Sequence, residues 1–370
     1  MKKILIIFGT RPEAIKLIPI IKKLREYSSS IKTIIATTAQ HREMLDQILQ
    51  FFDIKPRYDL NIMAHNQSLI DLTTKLPSHL QKLYEEIKPD LILVQGDTTS
   101  AFIASLIAFY NRIPIGHIEA GLRSFDKFQP FPEEINRKLI THLADYHFAA
   151  TPTARQNLIN EGINKDKIFI TGNTVIDTLH YILNKKETYT PKVKIDIGNK
   201  KMILLTAHRR ENLGKPLTSI CQAVKKIVSR HKDVVVVYPV HLNPKVQKTV
   251  RSILSMEKNV HLISPLSYFD LIYLMQQAYI ILTDSGGIQE EAPSLQKPLL
   301  VLRNVTERPE GLIAGVSRLV GTDKKKIIEE TERLLSDQSA YQKMITDHNP
   351  YGDGDASSKI VTIIKRIFSN

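Results

Sequence analysis

Residues 280–291 read Ile-Ile-Leu-Thr-Asp-Ser-Gly-Gly-Ile-Gln-Glu-Glu. An apolar run, Ile280–Leu282, leads straight into a Ser-Gly-Gly turn and then into a helix-forming stretch. That order is the strand–turn–helix unit of a parallel sheet, in which ligands gather at the carboxyl ends of the strands. Two glycines let backbone N–H groups approach an anion, and the helix dipole and the Ser285 hydroxyl favour a pyrophosphate there. Ser285, Gly286 and Gly287 are therefore expected to grip a diphosphate. Glu291, about one turn further in, is expected to bind a ribose diol. The plainer alternative is an ordinary glycine-rich turn.

The same unit recurs along the chain. In the first half the expected strands are Lys3–Phe8, Thr33–Thr37, Leu91–Val94, Ile115–Ile118, His147–Ala149 and Ile168–Thr171. Amphipathic helices fit between them at Glu13–Glu26, His41–Phe51, Leu69–Glu86, Thr98–Asn111 and Glu134–Ala144. The second half starts again at Met202–Thr206 and continues through Val234–Pro239, Val260–Ile263, Ile280–Leu282, Leu299–Leu302 and Arg318–Val320. Alternation of this kind predicts parallel sheets covered by helices on both faces. At 370 residues the chain is too long for one core of ordinary size, so two domains are expected. The polar, Lys-rich stretch Asn184–Lys201 reads as a connecting segment, with the boundary close to Gly172–Asp177. The tail ends in an amphipathic helix with Ile360, Ile363, Ile364 and Ile367, which needs a surface to cover. The expected division is 1–172 with 353–370, and 173–352.

Composition narrows the class. Hydrophobic residues at 42% and charged residues at 24% describe a folded, soluble protein. No apolar stretch approaches the ~20 residues of a membrane span. The opening Met1-Lys2-Lys3 and ILIIF are followed at once by Gly-Thr-Arg, which fits a first buried strand rather than a signal peptide. The single Cys221 has no partner, so a cytoplasmic setting is expected. A formal charge of +13 invites a nucleic-acid reading. However, Lys and Arg are scattered over helix faces, as in KKLREY and KKKIIEE, with no basic block interleaved with aromatics. A small anionic ligand is the better expectation.

The polar residues after each strand carry the chemistry. After the first come Gly9-Thr10-Arg11-Pro12-Glu13 and then Lys16. Arg11 and Lys16 stand either as phosphate contacts at a helix start or as surface cations. The pattern is not GxGxxG, which disfavours a dinucleotide cofactor. Asp97 follows the third strand and Glu119 the fourth, while Glu133 and Glu134 open a helix. Asp97 alone reads as a helix cap. Asp97, Glu119 and Glu133 together at one sheet edge read as acid/base groups; their spacing resembles no familiar metal ligand set. In the second half His208 precedes Arg209 and Arg210, as a phosphate contact or a proton donor. Arg308, in TERPEG, adds a cation to the edge of Ser285.

Together these segments resemble the non-hydrolysing UDP-N-acetylglucosamine 2-epimerases. The motifs are GTRPEAIK at 9–16, QGDTTS at 95–100, HIEAGLRS at 117–124, FPEEINR at 131–137, HRREN at 208–212, TDSGGIQEEAPSLQKP at 283–298, TERPEG at 306–311 and NPYGDGDAS at 349–357. The resemblance implies two Rossmann-like domains facing across a cleft (a GT-B fold), the terminal helix crossing back to the first domain, and a homodimer. It implies interconversion of UDP-GlcNAc and UDP-ManNAc, with no metal or redox cofactor; with the composition above, neither nucleic acid nor membrane is expected as a partner. Carried over, Asp97, Glu119 and Glu133 are the acid/base carboxylates and His208 acts on the leaving phosphate. Arg11, Lys16, Ser285, Gly286, Gly287, Glu291 and Arg308 contact UDP, and Leu266 and Leu271 line the uracil. A second UDP-GlcNAc as activator would use Gln40, His41, Gln67, Glu134, Arg209 and His241; Ala39 here stands where the family commonly has Gly. Rival readings are a hydrolysing 2-epimerase, which releases UDP and free ManNAc, an epimerase of a modified amino sugar, and a glycosyltransferase of the same fold. The non-enzymatic rival is a basic nucleotide- or nucleic-acid-binding module.

Overall fold

The computed structural model describes residues 1–38, 42–62, 67–185 and 190–369. The chain divides into two compact units, Met1–His180 with Tyr351–Asn370, and Tyr181–Pro350.

The first unit holds β1 (Lys2–Phe8), β2 (Ile31–Thr37), β3 (Tyr58–Asp59), β4 (Leu91–Gln95), β5 (Ile115–Ala120), β6 (Tyr146–Ala149) and β7 (Ile168–Ile170). They form a parallel sheet of seven strands in the order β3-β2-β1-β4-β5-β6-β7. β1 is hydrogen-bonded to both β2 and β4, so the winding reverses between β1 and β4, where an open sheet forms its ligand crevice. β3 was not expected: two residues carry no periodicity to read. β5 runs two residues past its expected end and slips register between Ile118 and Ala120. Glu119 sits at that irregularity with φ of 65°, a conformation that ordinary side chains adopt only under constraint.

Helix Arg11–Arg25 starts where the sequence places Pro12 in its first turn, and ends on Lys22, Lys23 and Arg25, matching the helix dipole at both ends. The terminal helix Ala356–Ser369 packs against it through buried Ile360, Val361 and Ile364. Asp177 caps that terminal helix, accepting from Ser357 N at 2.7 Å and Ala356 N at 3.2 Å. Asp177→Ala is expected to lower stability by about 1–2 kcal/mol, measured by urea denaturation; no change would show that the cap is dispensable.

The second unit holds β8 (Lys201–Thr206), β9 (Val234–Pro239), β10 (Val260–Ile263), β11 (Ile280–Thr283), β12 (Leu299–Val301) and β13 (Ser317–Leu319). These six parallel strands run in the order β10-β9-β8-β11-β12-β13, and the reversal falls between β8 and β11. Helices Lys215–Arg230 and Pro244–Leu254 bury Leu217, Ile220, Cys221, Val224, Val246 and Val250 on one face of the sheet. Val193, Ile195 and Ile197 pack on the core of the other face, so the connecting segment is tethered to this unit. Lys192 N also donates to Asp270 Oδ1 at 2.9 Å. No described helix is long and apolar enough to cross a membrane.

Candidate active site

In the first unit the reversal between β1 and β4 is tied together by a residue to which the sequence alone assigns no role. Glu13 is buried and reaches back as the third residue of its helix. Its Oε2 accepts from Gly9 N at 3.0 Å, Thr10 N at 2.8 Å and Thr10 Oγ1 at 2.8 Å. Its Oε1 accepts from Thr98 Oγ1 at 2.7 Å, so one carboxylate fixes the loops after β1 and β4. Burial raises the Glu13 carboxyl above its ordinary range, and these hydrogen bonds oppose the rise. The signal was present as Thr-x-x-Glu at Thr10 and Glu13, a capping-box spacing.

Glu119 is the most enclosed of the candidate acid/base groups. Its Oε1 is paired with the Lys16 ammonium and accepts from Asn173 Nδ2 at 3.1 Å, while Oε2 accepts from Gln95 Nε2. Only 9% of the Lys16 side chain and 6% of the Glu119 side chain are exposed. Lys16 therefore meets a carboxylate within its own unit, and Asn173, from the loop after β7, was invisible in sequence because 54 residues separate it from Glu119.

Asp97 follows β4, next to β5. It does not cap the following helix: Thr98 does, accepting from Ala101 N at 3.0 Å. Asp97 instead pairs with the Arg137 guanidinium, and its backbone carbonyl accepts from Asn136 Nδ2 at 3.0 Å. Both partners belong to helix Glu133–Leu143, so the contacts that hold Asp97 also hold the helix that Glu133 opens. The sequence reading expected clustered carboxylates acting on one another; the structure gives Glu119 and Asp97 a cation each. His117, on β5, donates from Nε2 to Gly96 O at 2.7 Å, fixing the turn before Asp97. Burial drives its pKa down to about 4, so the ring is neutral at ordinary pH. Arg11 is half-buried in the first turn of its helix.

In the second unit the expected diphosphate turn lies where the sequence placed it, at the end of β11, with Ser285 at the N-cap of helix Gly286–Glu291. Arg308 lies flat against Gly286. A Cβ there would meet its Nη1 at 2.5 Å and its Cζ at 2.7 Å. Arg308 is anchored by Nε to Glu290 Oε1 at 2.7 Å and by Nη1 to Glu307 Oε1 at 2.5 Å. Burial would raise the Glu307 carboxyl, but the Arg308 and Arg303 guanidiniums outweigh it and hold it well below the usual range. Glu291 is buried and accepts from the Tyr268 hydroxyl, a partner no sequence pattern indicated. Leu266 and Leu271 are half-buried against the core that contains Met202 and Leu204.

His208 follows β8 with 41% of its side chain exposed. Asp284, fully buried, takes His208 N at 2.8 Å, Arg209 N at 2.8 Å and Asn212 Nδ2 at 3.0 Å on its Oδ2. The His241 ring stacks on His208 at 5.2 Å between centroids, with the planes 2° apart. His241 and Arg209 belong to the expected activator set. Of the rest, Gln67 donates to Ile62 O at 3.4 Å. The fully buried Glu134 accepts from Ser124 N at 3.0 Å and Phe125 N at 3.2 Å. Gln40 and His41 lie outside the described residues, as does Ala39. No group of His, Cys, Asp and Glu that could hold a metal ion occurs among the described residues.

Two doubly wound parallel α/β units, with charged and glycine-rich loops at the reversal of each sheet, define an enzyme of the GT-B type acting on a sugar nucleotide. The family model described as UDP-N-acetylglucosamine 2-epimerase matches residues 22–365, and the chain belongs to that family. It is 52% identical to the UDP-N-acetylglucosamine 2-epimerase of Campylobacter jejuni over 374 residues, covering 98% of this chain and 97% of that one. It is 51% identical to the protein of that name from Escherichia coli K12, covering 98% of each. Among solved structures, the UDP-GlcNAc 2-epimerase of Neisseria meningitidis bound to UDP-GlcNAc superposes with a TM-score of 0.93 at 48% identity, covering 98% of this chain and 100% of that one. The S. aureus MnaA-UDP co-structure gives 0.92 at 48%, covering 100% and 97%.

Proposed function

We propose that this chain is a non-hydrolysing epimerase that interconverts UDP-GlcNAc and UDP-ManNAc, supplying ManNAc-type sugars for surface polysaccharide. The observation that carries the reading is Glu119, enclosed by Lys16, Gln95 and Asn173 at the end of β5, beside the Asp97–Arg137 pair at the end of β4. Inverting C2 means taking a proton from a weakly acidic carbon and returning one to the opposite face, which calls for more than one positioned carboxyl group. Asp97, Glu119 and Glu133 take these roles. As C2 loses its proton to a carboxylate, the C1–O bond breaks and UDP departs with the electron pair, leaving 2-acetamidoglucal. UDP then adds back at C1 while a carboxylic acid protonates C2 from the other face.

The charge that develops on the β-phosphate needs fixed donors. His208, the Ser285-Gly286-Gly287 turn and Arg308 supply them in the second unit; Arg11 and Lys16 are the cations of the first. Glu291 and Tyr268 fit the ribose, and Leu266 and Leu271 the uracil. The N. meningitidis relative bound to UDP-GlcNAc supports the choice of nucleotide sugar. The buried, unpaired Cys221 fits a reducing cytoplasm.

The purified chain, incubated with UDP-GlcNAc in deuterated water, is expected to yield UDP-ManNAc carrying deuterium at C2, followed by NMR. Free UDP and ManNAc in equal amounts would instead assign the hydrolysing reaction, and the absence of any conversion would point to another amino sugar.

A further inference from the structure

We propose that Asp284 is the positioning residue for His208, a role that rests on the reading above in which His208 acts on the leaving diphosphate. Asp284 stands at the end of β11 and is fully buried. Its two oxygens are used differently. Oδ2 alone takes the donors that shape the 208–212 turn: His208 N, Arg209 N and Asn212 Nδ2. Asn212 also donates to Leu302 O at 3.1 Å, which ties the same turn to the end of β12. Scaffolding is thus complete without Oδ1.

Oδ1 is buried, makes no hydrogen bond among the described residues and lies 3.7 Å from His208 Nδ1. A buried carboxylate oxygen with no donor is costly unless something supplies one. The His208 ring is the group within reach, and such contacts tighten as the reacting complex forms. The His241 ring, stacked with its centroid 5.2 Å away and its plane nearly parallel, sets the plane in which His208 turns. With Nδ1–H donating to Asp284 Oδ1, Nε2 is the nitrogen turned to the diphosphate, where it needs a proton of its own to donate. A carboxylate that fixes the tautomer and orientation of a working histidine is a general catalytic device. Here the loop carrying Ser285 supplies it, so one turn binds the diphosphate and orients the group acting on it.

The first test is direct. Ring nitrogen NMR of the full chain labelled with 15N-histidine, with UDP as the probe ligand, is expected to show His208 carrying a proton on Nδ1 in the UDP complex. A His208 ring protonated on Nε2 alone would overturn the proposal, whatever the activity. The second test is kinetic. Asp284→Asn can still accept the backbone donors through its amide oxygen, but its NH2 would face Nδ1 and leave the ring a proton on Nε2 only, so His208 would meet the diphosphate uncharged. Its kcat is expected to fall by about 10- to 100-fold, while the Kd for UDP moves only a few-fold. Added to His208→Ala, the same change is expected to cost nothing further in kcat. An equal loss in both backgrounds would make Asp284 a loop scaffold only. If wild-type protein binds UDP but fails to epimerise, the functional reading falls, and the NMR result still decides the Asp284–His208 contact.

Discussion

Glu119→Gln is expected to reduce epimerisation by about 10²- to 10⁴-fold and, separately, to destabilise the first unit. The two effects have one origin. Glu119 is paired with Lys16 where both side chains are more than nine-tenths buried, so Glu119→Gln takes from a buried ammonium the carboxylate it is paired with. Breaking such a pair from one side costs about 3–5 kcal/mol, more than either charge would matter at a surface. The neighbouring carboxylate makes the internal comparison. Asp97 retains 25% side-chain exposure, and the partner left by Asp97→Asn, Arg137, still has Glu134 at 3.3 Å. Asp97→Asn should therefore lose turnover on a similar scale with a much smaller loss in urea stability. Combining Lys16→Met with Glu119→Gln removes both charges and is expected to recover stability without recovering turnover. A Glu119→Gln enzyme working within a few-fold of wild type would remove Glu119 from the acid/base set.

The same pair shows what sequence could and could not disclose. Position along strands was legible. Asp97, Glu119, His208 and Ser285 each follow or end an apolar run, and the structure places each at the carboxyl edge of its sheet, beside the reversal or one strand from it. The apolar runs themselves were legible because strands buried on both faces read as continuous Val, Ile and Leu. Two-residue β3 was not, for want of length. Partnership was not legible either. Nothing about Lys16 announces a carboxylate 103 residues away, and nothing about Tyr268 announces Glu291. In sequence Asp284 is only one member of a glycine-rich motif, although its carboxylate holds the turn that carries His208. Glu13 is the exception, since its capping-box spacing is local and was open to reading. Local patterns thus find where a site lies; the long-range ion pairs that tune it belong to packing.

Gly286→Ala is expected to raise the Kd for UDP by roughly 10- to 100-fold, and Gly287→Ala provides the control that explains why. Neither glycine has a positive φ, so conformational freedom is not the reason for either. By helix propensity alone, Ala would be the better residue by about 0.5–1 kcal/mol. At Gly286 the added methyl meets the Arg308 guanidinium at 2.5 Å. That guanidinium cannot simply swing aside, because Glu290 and Glu307 hold it and only 7% of the residue is exposed. Overpacking of this kind costs typically 1–3 kcal/mol. If the displaced Arg308 is the cation that meets the diphosphate, the cost appears in binding at about 1.4 kcal/mol per tenfold. At Gly287 a Cβ meets nothing within 4 Å among the described residues, so Ala is expected to leave stability unchanged or slightly improved. Calorimetric titration with UDP and urea denaturation of both variants separate the cases. The Arg308 assignment fails if Gly286→Ala binds UDP as tightly as the wild type while losing stability, because the guanidinium would then be a structural strut with no part in holding the nucleotide.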